Sequence, residues 1–365
     1  MEDITLKDIV KEFRKYKGSH PLKLMSLVAY DEDGAIVMDD FIQNTHIINS
    51  INAIGRPLQL LSRISRKAYD DMVKVKLAAA HGNTYDLHNL ISALCELSVM
   101  NTFICRSSAP ETFIYEDQVN PFSKKNVEFS IQMAEYTFHV EVKTSNLVLE
   151  DKKIAQILEK NPEVIITDGR IDNYEEFQKS ISSPVRGSLD RRLVDYLKSA
   201  NEKFVRSSNP YEINLLIICW DDRIHQALMA LKGKKYEGIL TSNSFEKDDN
   251  GDALQYSNVD CVLVNTTYNL FKKYVTMLLF QEFSLEYPVD PFFQVFSANC
   301  LIDYNLDKDR IQMIKSILQT KVQIVDETYA DNLNPISVAT MKEGGENVIR
   351  FMKYDAKLNN DVSDE

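Results

Sequence analysis

The sequence predicts an α/β or α+β protein with a mixed β-sheet flanked by helices, and three patterns indicate this class. Apolar residues recur at helical spacing over residues 86–100. Two alternating segments follow, residues 127–133 and 136–145, as expected of strands with one apolar face. Residues 213–220 form a continuous apolar run, typical of a strand covered on both faces. A helix, a strand meander and later buried strands together predict a mixed sheet.

Length and composition indicate a globular protein without a membrane span. The chain has 365 residues, of which 44% are hydrophobic and 26% charged, so it is long enough for a substantial core. The longest apolar runs, such as residues 215–219, are far too short to cross a bilayer. Residues 1–20 are charged and lack an apolar signal core, so export is not expected. Five scattered cysteines fit free thiols in a reducing cytoplasm, and they lack the close pairs of a structural zinc site. We therefore expect a cytoplasmic protein that binds no membrane.

The net charge of −12 argues against a protein that coats nucleic acid by bulk attraction. It leaves room for a local basic strip, and two clusters are candidates for contacts with a phosphate backbone. These residues are Lys124, Lys125, Arg191, Arg192 and Lys198. A solvated helix face explains the same pattern, so both interpretations stay open.

The two alternating segments predict a hairpin with an apolar face and a polar face. Glu128 lies on the polar face of the first strand, and Glu141 and Lys143 lie on that of the second. A two-residue turn at residues 134–135 would place Met133 opposite Tyr136 and, counting back, Glu128 opposite Glu141.

Two opposed carboxylates repel each other, because their Cβ atoms are only about 4.5 to 5.5 Å apart. A divalent cation between Glu128 and Glu141 removes that repulsion, and oxygen ligands suit Mg²⁺ or Mn²⁺. The ammonium of Lys143 would orient the attacking water or offset the charge of a scissile phosphate. The competing interpretation is an exposed amphipathic strand whose polar side chains simply face solvent.

The hairpin resembles the active site of the PD-(D/E)XK, or restriction-endonuclease-like, superfamily of nucleases. In that family an acidic residue on one strand precedes a Glu-x-Lys element on the next. Glu141, Val142 and Lys143 match Glu-x-Lys, and Glu128 stands where the family usually has Asp. The resemblance implies that Glu96, on the preceding helix, joins the site, and that the backbone carbonyl of Val142 also binds the metal. It covers roughly residues 85–265.

Two departures from the family pattern concern the first acidic position. The Pro-Asp pair is absent, since Asn126 and Val127 precede Glu128, and Glu in place of Asp adds a methylene that would shift the metal site. Asp117 is a rival for the same position if the strands are drawn differently.

The resemblance divides the chain into three parts. Residues 1–84 would form an N-terminal α/β extension, residues 85–267 the nuclease-like core, and residues 268–365 a mostly helical C-terminal region with a disordered tail. The expected activity is Mg²⁺-dependent hydrolysis of phosphodiester bonds, on DNA rather than RNA, in a restriction or phage-defence type system. A nuclease-like module that docks a protein or nucleic acid without cutting is the alternative. A hydrolase of RNA or nucleotides, a homo-oligomer and a partner bound through the C-terminal region all stay open.

Overall fold

A computed structural model of the chain describes most of the predicted core. The described residues are 4–18, 20–23, 29–30, 36–37, 41–78, 80–81, 84–145, 166–167, 170–171, 188–220, 224–280, 299–303, 306, 308–318, 322–333, 336–343 and 346–353. They form a mixed α/β protein in which a seven-stranded mixed sheet is flanked by helices, which confirms the predicted class at that level.

The α-helices of the described residues are, in chain order, α1 (Leu6–Arg14), α2 (Phe41–Ile64), α3 (Arg66–Asp71), α4 (Leu87–Arg106), α5 (Ser188–Lys203), α6 (Ile224–Lys232), α7 (Thr267–Phe280), α8 (Lys308–Leu318) and α9 (Glu327–Asp331). A π-helical turn, Met72–Lys76, continues directly from α3. Helix α4 confirms the helix predicted from the spacing of apolar residues, and it begins where the Asp86 side chain accepts the backbone N–H of Asn89.

The strands are β1 (Ala29–Tyr30), β2 (Ile36–Val37), β3 (Ala80–His81), β4 (Thr84–Tyr85), β5 (Ile114–Tyr115), β6 (Phe129–Met133), β7 (Tyr136–Thr144), β8 (Ile166–Thr167), β9 (Arg170–Ile171), β10 (Glu212–Cys219), β11 (Cys261–Asn265), β12 (Asn299–Asp303), β13 (Val322–Ile324), β14 (Ile336–Glu343) and β15 (Glu346–Lys353). The central sheet has the order β13-β12-β11-β10-β7-β6-β5. Its strands β5, β6 and β7 form an antiparallel meander, and β7, β10 and β11 run parallel. Parallel neighbours need crossovers, which pass through α5 and α6.

Strand β10 is an interior strand, as the continuous apolar run predicts. It lies between β7 and β11, and all residues from 213 to 220 are buried. Leu215 and Ile217 join a hydrophobic cluster with α1–α4 and α7, whereas Leu216 and Ile218 join a second cluster with α5 and α6. Alternate side chains therefore serve two cores, one on each side of the sheet.

Helices near the start of the chain and strands after residue 268 both contribute to the central unit. Helices α1 and α3 pack into the same cluster as α4 and the sheet, so the N-terminal part shares the central core. The region after residue 268 contains helices, but strands β12 and β13 also lie there and extend the central sheet. The expectation of a mostly helical C-terminal region therefore missed strands, and the sheet continues past residue 267. The predicted disordered tail lies outside the described residues.

Candidate functional site

The hairpin of β6 and β7 has the predicted register. Met133 pairs with Tyr136 and Phe129 with Val140, around a turn at residues 134–135. Ala134 has a φ of +52°, a left-handed conformation that tight hairpin turns require. One further step would set Glu128 opposite Glu141, but the ladder ends at the pair Phe129–Val140, while β7 continues against β10 to Thr144. The two glutamates therefore stand where β6 and β7 part.

Glu141 is buried against α5. Its strand partner is Leu216, which belongs to the cluster under α5 and α6, and its side chain is only 1% exposed. One oxygen, Oε1, accepts from the ammonium of Lys143 at 2.7 Å and from that of Lys203 at 2.7 Å. This burial contradicts the interpretation of an exposed amphipathic strand. We call Glu141, Lys143 and Lys203 the lysine-rich cluster.

The second oxygen of Glu141 has no hydrogen-bond partner, although it is buried. A buried polar atom without a partner is costly, by about 1 to 3 kcal/mol and more when it is charged. A metal ion or an ordered water would satisfy this oxygen, so the donor set fits the cation that the sequence implies.

The backbone of β7 also fits the proposed role of Val142. Thr137 and Ser145 donate their N–H groups to the β10 side, to the carbonyls of Tyr211 and Cys219. Backbone groups alternate along a strand, so Val142 directs its carbonyl to the other side, towards β6. The β6 ladder has already ended there, and the carbonyl of Val142 lies on the edge where the strands part.

Glu128 and Glu96 meet on the other side of the sheet. The ammonium of Lys76 lies 2.6 Å from Glu96 Oε2 and 2.5 Å from Glu128 Oε1. The side chains of Glu96 and Glu128 are 18% and 13% exposed, so both acids are largely shielded from water. We call Glu96, Glu128 and Lys76 the carboxylate-rich cluster.

Burial and charge act together on the carboxylate-rich cluster. Burial raises the pKa of Glu96 to about 8, the neighbouring Glu128 acts in the same direction, and Lys76 opposes both. Burial alone would lower the pKa of Lys76, but the charges of Glu96 and Glu128 outweigh it and hold that pKa well above its usual value. The cluster therefore favours the binding of positive charge, whether a proton or a cation.

In the structure, the predicted acidic residues contact two separate sets of lysine ammonium groups. Glu96 and Glu128 share Lys76, whereas Glu141 contacts Lys143 and Lys203. Strict alternation fails at the start of β6: Val127 packs in the cluster of α5 and α6, Phe129 packs on the α4 side, and the carboxylate between them also turns to the α4 side. Within the described ranges, no group of three or more His, Cys, Asp or Glu side chains is placed to hold a metal ion.

The rival acid Asp117 lies beside the start of β6. Its backbone carbonyl accepts the N–H of Val127 at 3.0 Å, and its charge acts on His139. Burial lowers the pKa of His139, and Glu212 and Asp117 oppose this effect. Nδ1 of His139 lies 2.7 Å from the hydroxyl of Ser130, its cross-strand partner, which indicates a satisfied buried pair.

Two of the predicted basic contacts are paired with acids of the chain itself. Lys125 lies 2.5 Å from Glu202, and Lys198 lies 2.5 Å from Glu246. Arg191 and Lys124 are exposed, and Arg192 is half-buried and interacts with Tyr196. The strip is therefore partly neutralised before any ligand arrives.

Sequence reasoning missed two residues of the clusters, Lys76 and Lys203. Lys76 precedes Glu128 by 52 residues and Lys203 follows Glu141 by 62, so no local pattern links them. The one available signal is physical: a glutamate in an apolar setting needs a counter-ion from elsewhere in the chain.

No protein-family model, curated protein or solved structure matches this chain. Among the helices that the structure describes, none has both the length and the apolar character needed to cross a membrane. The function is therefore proposed from the geometry of the two clusters.

Proposed function

We propose that the chain is a metal-dependent nuclease with a PD-(D/E)XK-like core that hydrolyses phosphodiester bonds. The observation that supports this most strongly is the convergence of Glu96, on α4, with Glu128, at the start of β6, on one cation. The sequence resemblance joins these two residues in one site. Mg²⁺ or Mn²⁺ is the proposed metal, and DNA is the favoured substrate, in a restriction or phage-defence type system.

The topology supports the same proposal. An antiparallel meander, β5-β6-β7, is followed by a crossover through α5 to the parallel strand β10. The Glu-x-Lys element lies on the last strand of the meander, and the first acid, Glu128, directly precedes the strand before it, which is close to the arrangement that the resemblance implies.

The two clusters suit different parts of the reaction. Glu96 and Glu128 offer carboxylate oxygens on the α4 side of the sheet, whereas the second oxygen of Glu141 and the carbonyl of Val142 lie where β6 and β7 separate. A metal bound by Glu96 and Glu128 would lower the pKa of a water and neutralise developing charge. Lys143 and Lys203 hold two ammonium groups over one carboxylate, so they would draw the scissile phosphate to the site and offset its charge.

Cleavage assays test the proposal directly. Supercoiled plasmid and a structured RNA would be incubated with the protein in Mg²⁺, Mn²⁺ or EDTA. We expect metal-dependent cutting of the plasmid that Glu128→Gln and Glu141→Gln abolish. The matched control is Glu12→Gln, which changes a glutamate that pairs with Lys15 on α1. Cutting that persists in EDTA, or in both glutamine variants of the hairpin, would overturn the proposed site.

The second candidate is a nuclease-like binding module that recognises nucleic acid or a protein without cleavage. The observation that favours it is the position of Lys76, whose ammonium already occupies the space between Glu96 and Glu128. This candidate predicts salt-dependent binding of labelled duplex DNA, with no cutting in any metal. The same assays therefore separate the two functions.

A further inference from the structure

We propose that Lys76 is a built-in counter-cation, which holds Glu96 and Glu128 together in the metal-free protein and is displaced when a divalent cation binds. The inference rests on the proposed function, since it concerns the regulation of the same site. It makes Lys76 a residue that sets metal affinity, although it is neither a ligand nor a catalytic residue.

The geometry makes the ammonium and a metal mutually exclusive. The Nζ atom of Lys76 lies 2.6 and 2.5 Å from one oxygen of each carboxylate, so it fills the gap between them. Mg²⁺ binds carboxylate oxygens at about 2.0 to 2.1 Å and would need the same gap. One of the two cations must leave before the other enters.

The charges favour the exchange. When both acids are ionised, two carboxylates with one ammonium leave the cluster one positive charge short, whereas a divalent cation neutralises both. The side chain of Lys76 is 24% exposed. We therefore expect displacement to proceed by rotation about its own side-chain bonds, without unfolding of the surrounding helices.

The local backbone sets Lys76 apart from its neighbours. Lys76 ends a π-helical turn, which the N–H of Leu77 closes onto the carbonyl of Met72 at 2.8 Å. Such turns are rare and occur often at functional sites. Lys74, in the same turn, is 56% exposed and pairs with Asp70 on the surface. The turn thus directs one lysine to the buried acids and leaves the other in solvent.

Removing the ammonium tests the inference. Lys76→Met and its matched control Lys74→Met would be titrated with Mn²⁺ by calorimetry, in the full chain. We expect Lys76→Met to bind Mn²⁺ at least tenfold more tightly than wild type, because no competing cation has to leave. Lys74→Met should match wild type. Adding Glu128→Gln to Lys76→Met should abolish the gain, which would assign it to this cluster.

Thermal unfolding supplies a second measurement. In EDTA, Lys76→Met should melt below wild type, because the two carboxylates lose their shared cation, and Mn²⁺ should restore the melting temperature. If Lys76→Met does not fold, Lys76→Gln replaces it, since its neutral amide keeps a hydrogen-bond donor near the two carboxylates. An ion pair that serves only stability predicts the loss in EDTA without rescue by Mn²⁺.

The outcomes separate this inference from the proposed nuclease. Equal Mn²⁺ affinity in wild type and Lys76→Met, with binding that still depends on Glu128, overturns displacement while the metal site stands. Absence of Mn²⁺ binding in both proteins also overturns it and makes Lys76 a permanent counter-ion. Plasmid cleavage by the same preparations reports on the nuclease independently.

Discussion

The carboxylate-rich and lysine-rich clusters are built from the same residue types in opposite proportions. Glu96 and Glu128 share one ammonium on the α4 side of the sheet, whereas Glu141 alone faces two ammonium groups on the α5 side. With all groups ionised, the first cluster is one positive charge short and the second has one in excess. In the proposed phosphodiester hydrolysis, a cation would be drawn to the first cluster and an anionic phosphate to the second.

The largest expected effect concerns the excess charge of the lysine-rich cluster. Lys143→Ala should lower the rate of plasmid cleavage on the order of 10³-fold, as for the loss of a group that stabilises transition-state charge. Folding should suffer little, by about 1 kcal/mol, because Glu141 keeps its contact with Lys203. Single-turnover cleavage and urea unfolding measure the two effects, and Lys11→Ala, at an exposed lysine of α1, is the control. An undiminished rate would remove Lys143 from the catalytic group.

A second prediction compares the buried lysine-rich cluster with an exposed ion pair. Glu141→Ala should lower the free energy of unfolding by about 3 kcal/mol, because it leaves two partly buried ammonium groups without their carboxylate. Glu202→Ala removes the partner of Lys125 at a position that is 57% exposed, and should cost less than about 1 kcal/mol. Urea titrations of both variants measure the difference. Equal losses would mean that burial does not distinguish Glu141.

A third prediction uses the raised pKa of Glu96. The folded protein holds this carboxyl's proton more tightly than the unfolded chain does, since its pKa rises from 4.5 to about 8. Its contribution to stability is therefore fully present below pH 4.5 and is lost as the pH rises towards 8.

Melting temperatures in EDTA should accordingly fall between pH 5 and 8, and Glu96→Gln should flatten that part of the profile. Glu12→Gln, on α1, should leave the profile of wild type unchanged. A profile in Glu96→Gln as steep as that of wild type would assign the pH dependence to other groups.

The sequence predicts the parts of this site that depend on local periodicity. The register of Met133 with Tyr136, the helix α4 and the interior strand β10 all follow from periodic spacing or apolar runs within short segments. The family resemblance implied that Glu96 lies near Glu128. In the structure, both carboxylates contact the ammonium of Lys76.

The features that the sequence did not predict depend on contacts between distant segments or on a local break in a pattern. Glu128 turns to the α4 side because alternation fails at the start of β6, which a period of two does not encode. Strands β12 and β13 are short and depend on pairing, β12 with β11 and β13 with β12, so their own residues carry a weak signal. Burial of the polar face of β7 likewise depends on α5, which lies far along the chain.

The smallest expected effect concerns the predicted basic strip. Arg191 is exposed, whereas Lys198 is paired with Glu246 at 2.5 Å. A phosphate contact by Lys198 must first break this ion pair, which at the surface is worth about 0 to 1 kcal/mol. Arg191→Gln should therefore weaken DNA binding across all sequences and reduce the salt slope by about 1, and Lys198→Gln should reduce it by less. Binding isotherms of labelled duplex DNA at several salt concentrations measure both slopes, with Lys11→Gln on α1 as the control. Equal slopes in wild type and Arg191→Gln would make this helix a solvated face, and the excess charge that attracts the phosphate would then reside in Lys143 and Lys203 alone.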